Sequence, residues 1–196
     1  MTEQNIAQKF PRTVNLAEGE KVEVRLMSAD DRDAVLAFAQ ALPEEDLLFL
    51  RLDLTDPAVV DEWVANVESG HSISLLAYDQ NGVIGYATVH RNRARWMRRV
   101  GEIRVNVGPG YRSKGLGRFL TSQIFDVARE IGLKKLMANM TIDQRGAQAA
   151  FRRLGFVPEA LLADYVEDQQ GNPRDLVVMS YDIDGHSEQV DEPVRL

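Results

Sequence analysis

A chain of 196 residues with 44% hydrophobic residues is long enough to bury the core of one domain of ordinary composition. Its net charge of −7 argues against a general nucleic-acid binder, and the absence of cysteine excludes disulfides, thiolate metal sites and a cysteine nucleophile. No apolar run approaches the ~20 residues of a membrane helix, and Met1 to Lys9 is too polar for a secretory signal, so a cytoplasmic protein without nucleic-acid or membrane partners is expected.

Residues 1–20 read as a polar, irregular extension with Thr13-Val14-Asn15-Leu16 as a candidate short strand. Lys21 to Met27 alternates polar and apolar residues as a half-buried strand does. Ser28 opens a helix to about Leu42, Asp31 completes a variant of the capping box, and Pro43 interrupts the run. Residues 44–50 form a short helical segment. Asp56-Pro57 opens another helix whose Val60, Trp63, Val64 and Val67 recur at helical spacing, and Gly70 ends it. Strands from Ile73 to Tyr78 and from Val83 to His90 flank the turn signal Asn81-Gly82. An arginine-rich loop leads to a third strand, Arg99 to Val107, and Gly108-Pro109-Gly110 breaks the chain. The helix over 115–131 carries the apolar stripe Phe119, Leu120, Ile124, Val127, Ala128 and Ile131. Lys135 to Met140 is a strand, and a helix capped by Thr141 or Asp143 runs to Leu154. Residues 156–166 and 174–183 form a last strand pair. The polar residues 184–196 are expected to be a disordered tail, leaving 21–183 as a single domain. Strand, helix, strand around a glycine-rich turn implies parallel neighbours, and the hairpins imply antiparallel ones. The fold class is therefore α/β, a central mixed sheet flanked by helices, with ligand expected beyond the carboxyl ends of its strands.

The glycine-rich turn is Arg112-Ser113-Lys114-Gly115-Leu116-Gly117. Glycines allow close backbone approach, and the first turn of a helix offers unpaired N–H groups and about +0.5 charge, so this stretch suits a phosphate. It is not a nucleotide P-loop, because Leu116-Gly117 stands where Lys-Ser/Thr should follow Gly110 and Gly115. It is not a dinucleotide fingerprint either, because Phe119 and Leu120 follow Gly117 where a third glycine belongs.

The pattern present, Arg-x-x-Gly-x-Gly, resembles the pyrophosphate loop of the GNAT-superfamily N-acetyltransferases. Glu102-Ile103-Arg104-Val105-Asn106-Val107 looks like that family's central strand, and Ala147, Phe151, Gly155 and Phe156 are similar to its Ala-x-x-x-Tyr-x-x-x-Gly-Phe element. The resemblance covers about residues 21–183 and is strongest over 100–157. It implies a GNAT-like acyl-CoA N-acyltransferase fold and acetyl-CoA as donor. By resemblance Arg112, Ser113, Lys114, Gly115, Leu116, Gly117 and Arg118 bind the cofactor's pyrophosphate. The strands 100–107 and 134–140 splay apart, and the backbone of Val105, Asn106 and Val107 pairs with the pantetheine arm. Asn139 and Phe151 match further cofactor positions, although a strand-end hydrogen bond explains Asn139 equally well. Arg152 and Arg153 suit either the phosphates or an exposed helix face.

The resemblance implies transfer of acetyl from acetyl-CoA to a primary amine. Without cysteine no acetyl-cysteine intermediate forms, so transfer is direct. An ordinary amine titrates near ~10.4, so reaching its neutral form at pH 7 costs about 4 kcal/mol and a general base helps. Glu102 is the candidate base, against a reading as an ion-paired carboxylate beside the arginines; Glu45, Asp143 and Asp164 are lesser candidates. The family tyrosine that serves the departing sulfur is replaced by Phe151, and Tyr165 is a weak substitute candidate. The acceptor is a small molecule or a protein lysine or N-terminus, and a homodimer is left open. Phe151 motivates an alternative, a catalytically weak acyl-CoA-binding sensor; a longer-chain acyltransferase is another. His71, His90 and His186 show no metal-ligand spacing and are read as structural or surface residues, with no metal site expected. Arg91, Arg93, Arg95, Arg98 and Arg99, interrupted by Trp96, are either a solvated hairpin loop or a patch for an acidic acceptor or partner.

Overall fold

Period-two alternation and turn residues resolve, in a computed structural model, into eight strands among the described residues: β1 (Arg12–Asn15), β2 (Lys21–Leu26), β3 (Ser72–Asp79), β4 (Gly82–Arg91), β5 (Val100–Val107), β6 (Lys135–Thr141), β7 (Val157–Glu167) and β8 (Pro173–Asp182). Helices are α1 (Glu3–Ala7), α2 (Arg32–Gln40), α3 (Glu44–Leu47), α4 (Pro57–Glu68), α5 (Leu116–Glu130) and α6 (Arg145–Arg153). The structure describes residues 3–17, 19–47, 52–168 and 170–185. The expected helical residues 48–50 and the tail 186–196 lie outside them.

The strands form one sheet in the order β1-β2-β3-β4-β5-β6-β8-β7. Every neighbouring pair is antiparallel except β5 and β6, which are parallel and joined through α5. The sheet is therefore mixed, as the alternation of hairpins and one crossover requires.

Apolar residues cover both faces. On one, Leu116, Leu120, Ile124, Val127 and Ala128 of α5 pack with Ala87, Val89, Ile103, Leu136 and Ala138. On the other, Val35, Phe38 and Ala39 of α2 and Val60 and Trp63 of α4 pack on Leu76 and Tyr86. Gly101 allows the parallel junction to close: a Cβ there would lie 2.5 Å from Leu133 Cδ1 and 3.0 Å from Val89 Cγ2.

Several local expectations change. The first residues are not irregular: α1 forms, Ile6 is buried in the main core, and β1 pairs with β2 from Arg12↔Val24 to Asn15↔Lys21. One isoleucine in a polar stretch is too little for a periodic signal, and the sheet edge supplies the rest. The Ser28 capping box opens a 3-10 turn at Ala29–Asp31 before α2. Asp31 is buried and accepts from Ser28 N–H at 2.8 Å, from Arg25 Nη1 at 2.8 Å and from the Tyr78 hydroxyl at 2.7 Å. Neither Thr141 nor Asp143 caps α6; Gln144 precedes it and its Oε1 accepts from the Thr141 N–H at 3.0 Å.

Candidate active site

The phosphate loop is shaped by backbone more than by charge. After Gly108 a 3-10 turn, Pro109–Tyr111, leads to Ser113 at φ 62° and Gly115 at φ 95°, and α5 begins at Leu116. Gly115 sits in the left-handed region that favours glycine. A Cβ on Gly110 or Gly115 would meet nothing within 4 Å, and one on Gly117 only Val107 Cγ2 at 3.5 Å, so the space over the helix start is open. Leu116 is fully buried and anchors that start, leaving its backbone to face the cleft.

The loop's cations are engaged elsewhere. Arg112 donates from Nε to the Val107 carbonyl at 3.0 Å and from Nη2 to Asp46 Oδ2 at 2.6 Å, tying the loop to β5 and α3. Lys114 donates to Glu20 Oε1 at 2.7 Å and lies 5.6 Å from the Tyr111 ring centroid. The groups this loop leaves for an anion are thus backbone N–H groups at a helix N-terminus. Arg118, exposed on the first turn of α5, adds a positive side chain.

Beside the loop the sheet divides. β5 and β6 pair only at Val100↔Lys135, Gly101↔Leu136 and Glu102↔Met137. Beyond that point β4 keeps hold of β5 through Val107, and β8 keeps hold of β6 through Thr141. Val105, Asn106 and Val107 therefore border a split that leads to the phosphate loop. Thr141 Oγ1, at the end of β6, is buried without a hydrogen-bond partner among the described residues. Asn139 is exposed and alternates with Met137, on the Glu102 face. The split thus presents strand backbone of β5 and β6 that does not pair across it, with the buried Thr141 hydroxyl at the end of β6.

Phe151 packs its half-buried ring edge-on against Phe156 at 5.0 Å, within the core. Tyr165 is 65% exposed on the edge strand β7, which β8 and β6 separate from β5. Glu102 sits where the split begins and the loop follows β5 at its other end, whereas Tyr165 lies outside both.

The sheet face under α4 carries polar rows across three strands. Ser72, His90 and Glu102 are successive register partners, as are Ser74, Thr88 and Arg104. Ser72 Oγ lies 2.8 Å from His90 Nδ1, and Ser74 Oγ lies 2.9 Å from Thr88 Oγ1 and accepts from Trp63 Nε1 at 3.0 Å. Tyr86 pairs in register with Asn106; burial pushes its hydroxyl up to about 12, opposed by Arg104 and by a hydrogen bond with Asn106. A pocket opens here, lined by Trp63, Tyr86, Thr88, His90, Arg104 and Glu62. Arg104 reaches Glu102 Oε1 from Nε and Nη2, both at 3.4 Å. His90, read from the sequence as a structural or surface residue, lines this pocket, and the sign of it in the chain is the alternation Tyr86, Thr88, His90 along one strand.

The arginine-rich loop lies at the amino end of β5, away from the phosphate loop, with Trp96 86% exposed. The side chain of Glu45 and His186 lie outside the described residues.

A family model for the acetyltransferase (GNAT) family matches residues 26–156. The chain belongs to the GNAT family. Among relatives, a streptothricin acetyltransferase of Streptomyces lavendulae is 34% identical over 93 residues, 47% of this chain and 48% of that one. The match thus spans about half the length of that relative. The L-amino acid N-acyltransferase MnaT of Escherichia coli is 32% identical over 116 residues, 58% of this chain and 67% of that one. The GNAT fold is also that of yncA from Salmonella typhimurium, a putative acetyltransferase solved with acetyl-CoA, at TM-score 0.72 and 23% identity over 89% of this chain and 99% of that one. The GNAT domain of S. lividans PAT aligns at TM-score 0.73 and 16% identity, over 88% and 96%.

Proposed function

We propose that this protein transfers an acetyl group from acetyl-CoA directly to the primary amine of a small acceptor. The observation that carries this is the split between β5 and β6, which begins where their pairing ends at Glu102 and leads along β5 toward the open start of α5. The loop backbone binds pyrophosphate, and the unpaired side of β5 holds the pantetheine arm. When bound, acetyl-CoA supplies the thioester carbonyl, and backbone N–H groups of β5 stabilise its oxyanion. Glu102 takes the proton that the acceptor ammonium gives up. Arg104, one alternation along β5, faces the pocket under α4 and suits an acceptor that also carries an acid group. The two relatives, named for streptothricin and for L-amino acids, support a small acceptor.

The test is acetyl-CoA with a panel of amino acids and amines, read by release of free thiol. Turnover on at least one amine is expected. For Glu102→Gln, kcat is expected to fall by about 10²–10⁴-fold with CoA affinity retained. Failure to bind CoA would sink the proposal. Phe151 supports one second reading, an acyl-CoA sensor, because no hydroxyl stands at that position for the departing sulfur; tight CoA binding without turnover on any amine would establish it.

A further inference from the structure

Ser72 on β3, His90 on β4 and Glu102 on β5 form one cross-strand row. Ser72 is buried, and its hydroxyl holds His90 Nδ1 at 2.8 Å. His90 lines the pocket under α4, and Glu102 is its register partner on the other side. Directly opposed residues of antiparallel strands keep their Cβ atoms about 4.5–5.5 Å apart, so imidazole and carboxylate are within reach of each other.

A proton taken from an amine is held poorly by a carboxylate. Ordinary carboxylates titrate near ~4.3 and amines near ~10.4, so a proton left on a glutamate returns to the amine. An imidazole, ordinarily near ~6.5, retains it far better at neutral pH.

We infer that His90, its ring set by Ser72, receives through Glu102 the proton that the acceptor ammonium loses. This rests on the amine acylation proposed above. The ammonium N–H bond breaks as the Glu102 carboxylate takes the proton. The new O–H bond breaks in turn as the His90 ring takes it, which restores the carboxylate beside an imidazolium. The neutral amine attacks the thioester carbon; the C–N bond forms, the C–S bond breaks, and the second amine proton leaves with sulfur as the thiol of CoA. One proton per turnover remains on His90 and is lost to water through the pocket. The charged and titratable groups around the ring are Glu102 and Arg104 from β5 and Glu62 from α4, with the Ser72 hydroxyl from β3. Leu52 and Leu54, ahead of α4, add only apolar surface. His90 acts through Glu102 and is a positioning residue.

The experiment is the pH dependence of kcat/KM for the best amine, in wild type, His90→Gln and Ser72→Ala. In wild type the acid limb is expected to follow an imidazole ionisation, with activity lost as pH falls through the midpoint of the His90 ring. In His90→Gln that limb disappears and the rate at pH 7 falls about 10–100-fold, with CoA affinity by calorimetry unchanged. Ser72→Ala keeps the limb at a moved midpoint. A wild-type rate and profile in His90→Gln would overturn the inference and leave the acylation proposal intact, whereas a wild type inactive on every amine would overturn both. A second measurement avoids the variant: NMR titration of the His90 ring in otherwise wild-type protein and in Glu102→Gln. Its midpoint is expected to move when the carboxylate is removed, and an unmoved midpoint would overturn the pairing.

Discussion

Gly117 separates cofactor binding from stability. It is the second residue of α5, and an added Cβ would meet only Val107 Cγ2 at 3.5 Å, an ordinary contact. Alanine there relieves the backbone entropy of glycine in a helix, so Gly117→Ala is expected to be at least as stable as wild type, by up to about 0.5–1 kcal/mol. The same Cβ projects into the mouth of the split, where the cradle is made of backbone N–H groups. Each hydrogen bond from such a group to a charged phosphate contributes about 1.5–3 kcal/mol. Pushing the anion off one of them weakens CoA binding by about 10–100-fold. Gly117→Arg, whose side chain occupies the cradle, should abolish binding. Calorimetry with CoA and thermal melting of the same samples read the two effects apart. Unchanged CoA affinity in both folded variants would refute the placement of the pyrophosphate.

Two further outcomes follow from named contacts. Burial alone would raise the Asp31 carboxyl, but the hydrogen bonds from Arg25, the Ser28 N–H and Tyr78 lower it below the ordinary range. A lowered folded-state value gives stability that is present above the unfolded value, near ~3.9, and lost as pH falls through the folded one. Asp31→Asn should therefore cost about 2–3 kcal/mol at pH 7, toward the low side for a buried pair because the Arg25 side chain remains 34% exposed. Urea unfolding should show that difference shrinking below about pH 4, and a difference independent of pH would refute the linkage. Phe151→Tyr places a hydroxyl where the family pattern has one; thiol release at saturating acetyl-CoA should rise up to about tenfold, and an unchanged kcat would show that the departing sulfur is not limiting.

What could be read in the chain was local. A glycine at positive φ, a helix start and a strand end are written within a few residues, so Val107 to Gly117 announced both the turn into α5 and the family. Turn chemistry did the same for the β3–β4 hairpin: Asp79 Oδ1 accepts from the Asn81 N–H at 2.7 Å and from the Gly82 N–H at 3.1 Å. The helix start at Pro57 is likewise local, with Asp56 Oδ1 accepting from Ala58 N–H at 2.9 Å.

The rest depended on register and on distant partners. Arg112 reads as a phosphate ligand in sequence, yet its guanidinium is held by Asp46, 66 residues away, and by the end of its own strand. Tyr165 reads as lying near the helix that carries Phe151, yet the strand order sets β7 three places beyond β5, with β6 and β8 between. Ile6 is one apolar residue in a polar stretch until the sheet covers it. The sequence by itself determined the sheet's class, the glycine-rich turn into α5 and the phenylalanine at 151, because these follow from backbone preferences and residue identity. Only the tertiary structure decided that Ser72, His90 and Glu102 share a row and that the split opens after Glu102. Cross-strand register is set by packing over the whole sheet, and a one-residue slip would have turned every one of those side chains to the other face.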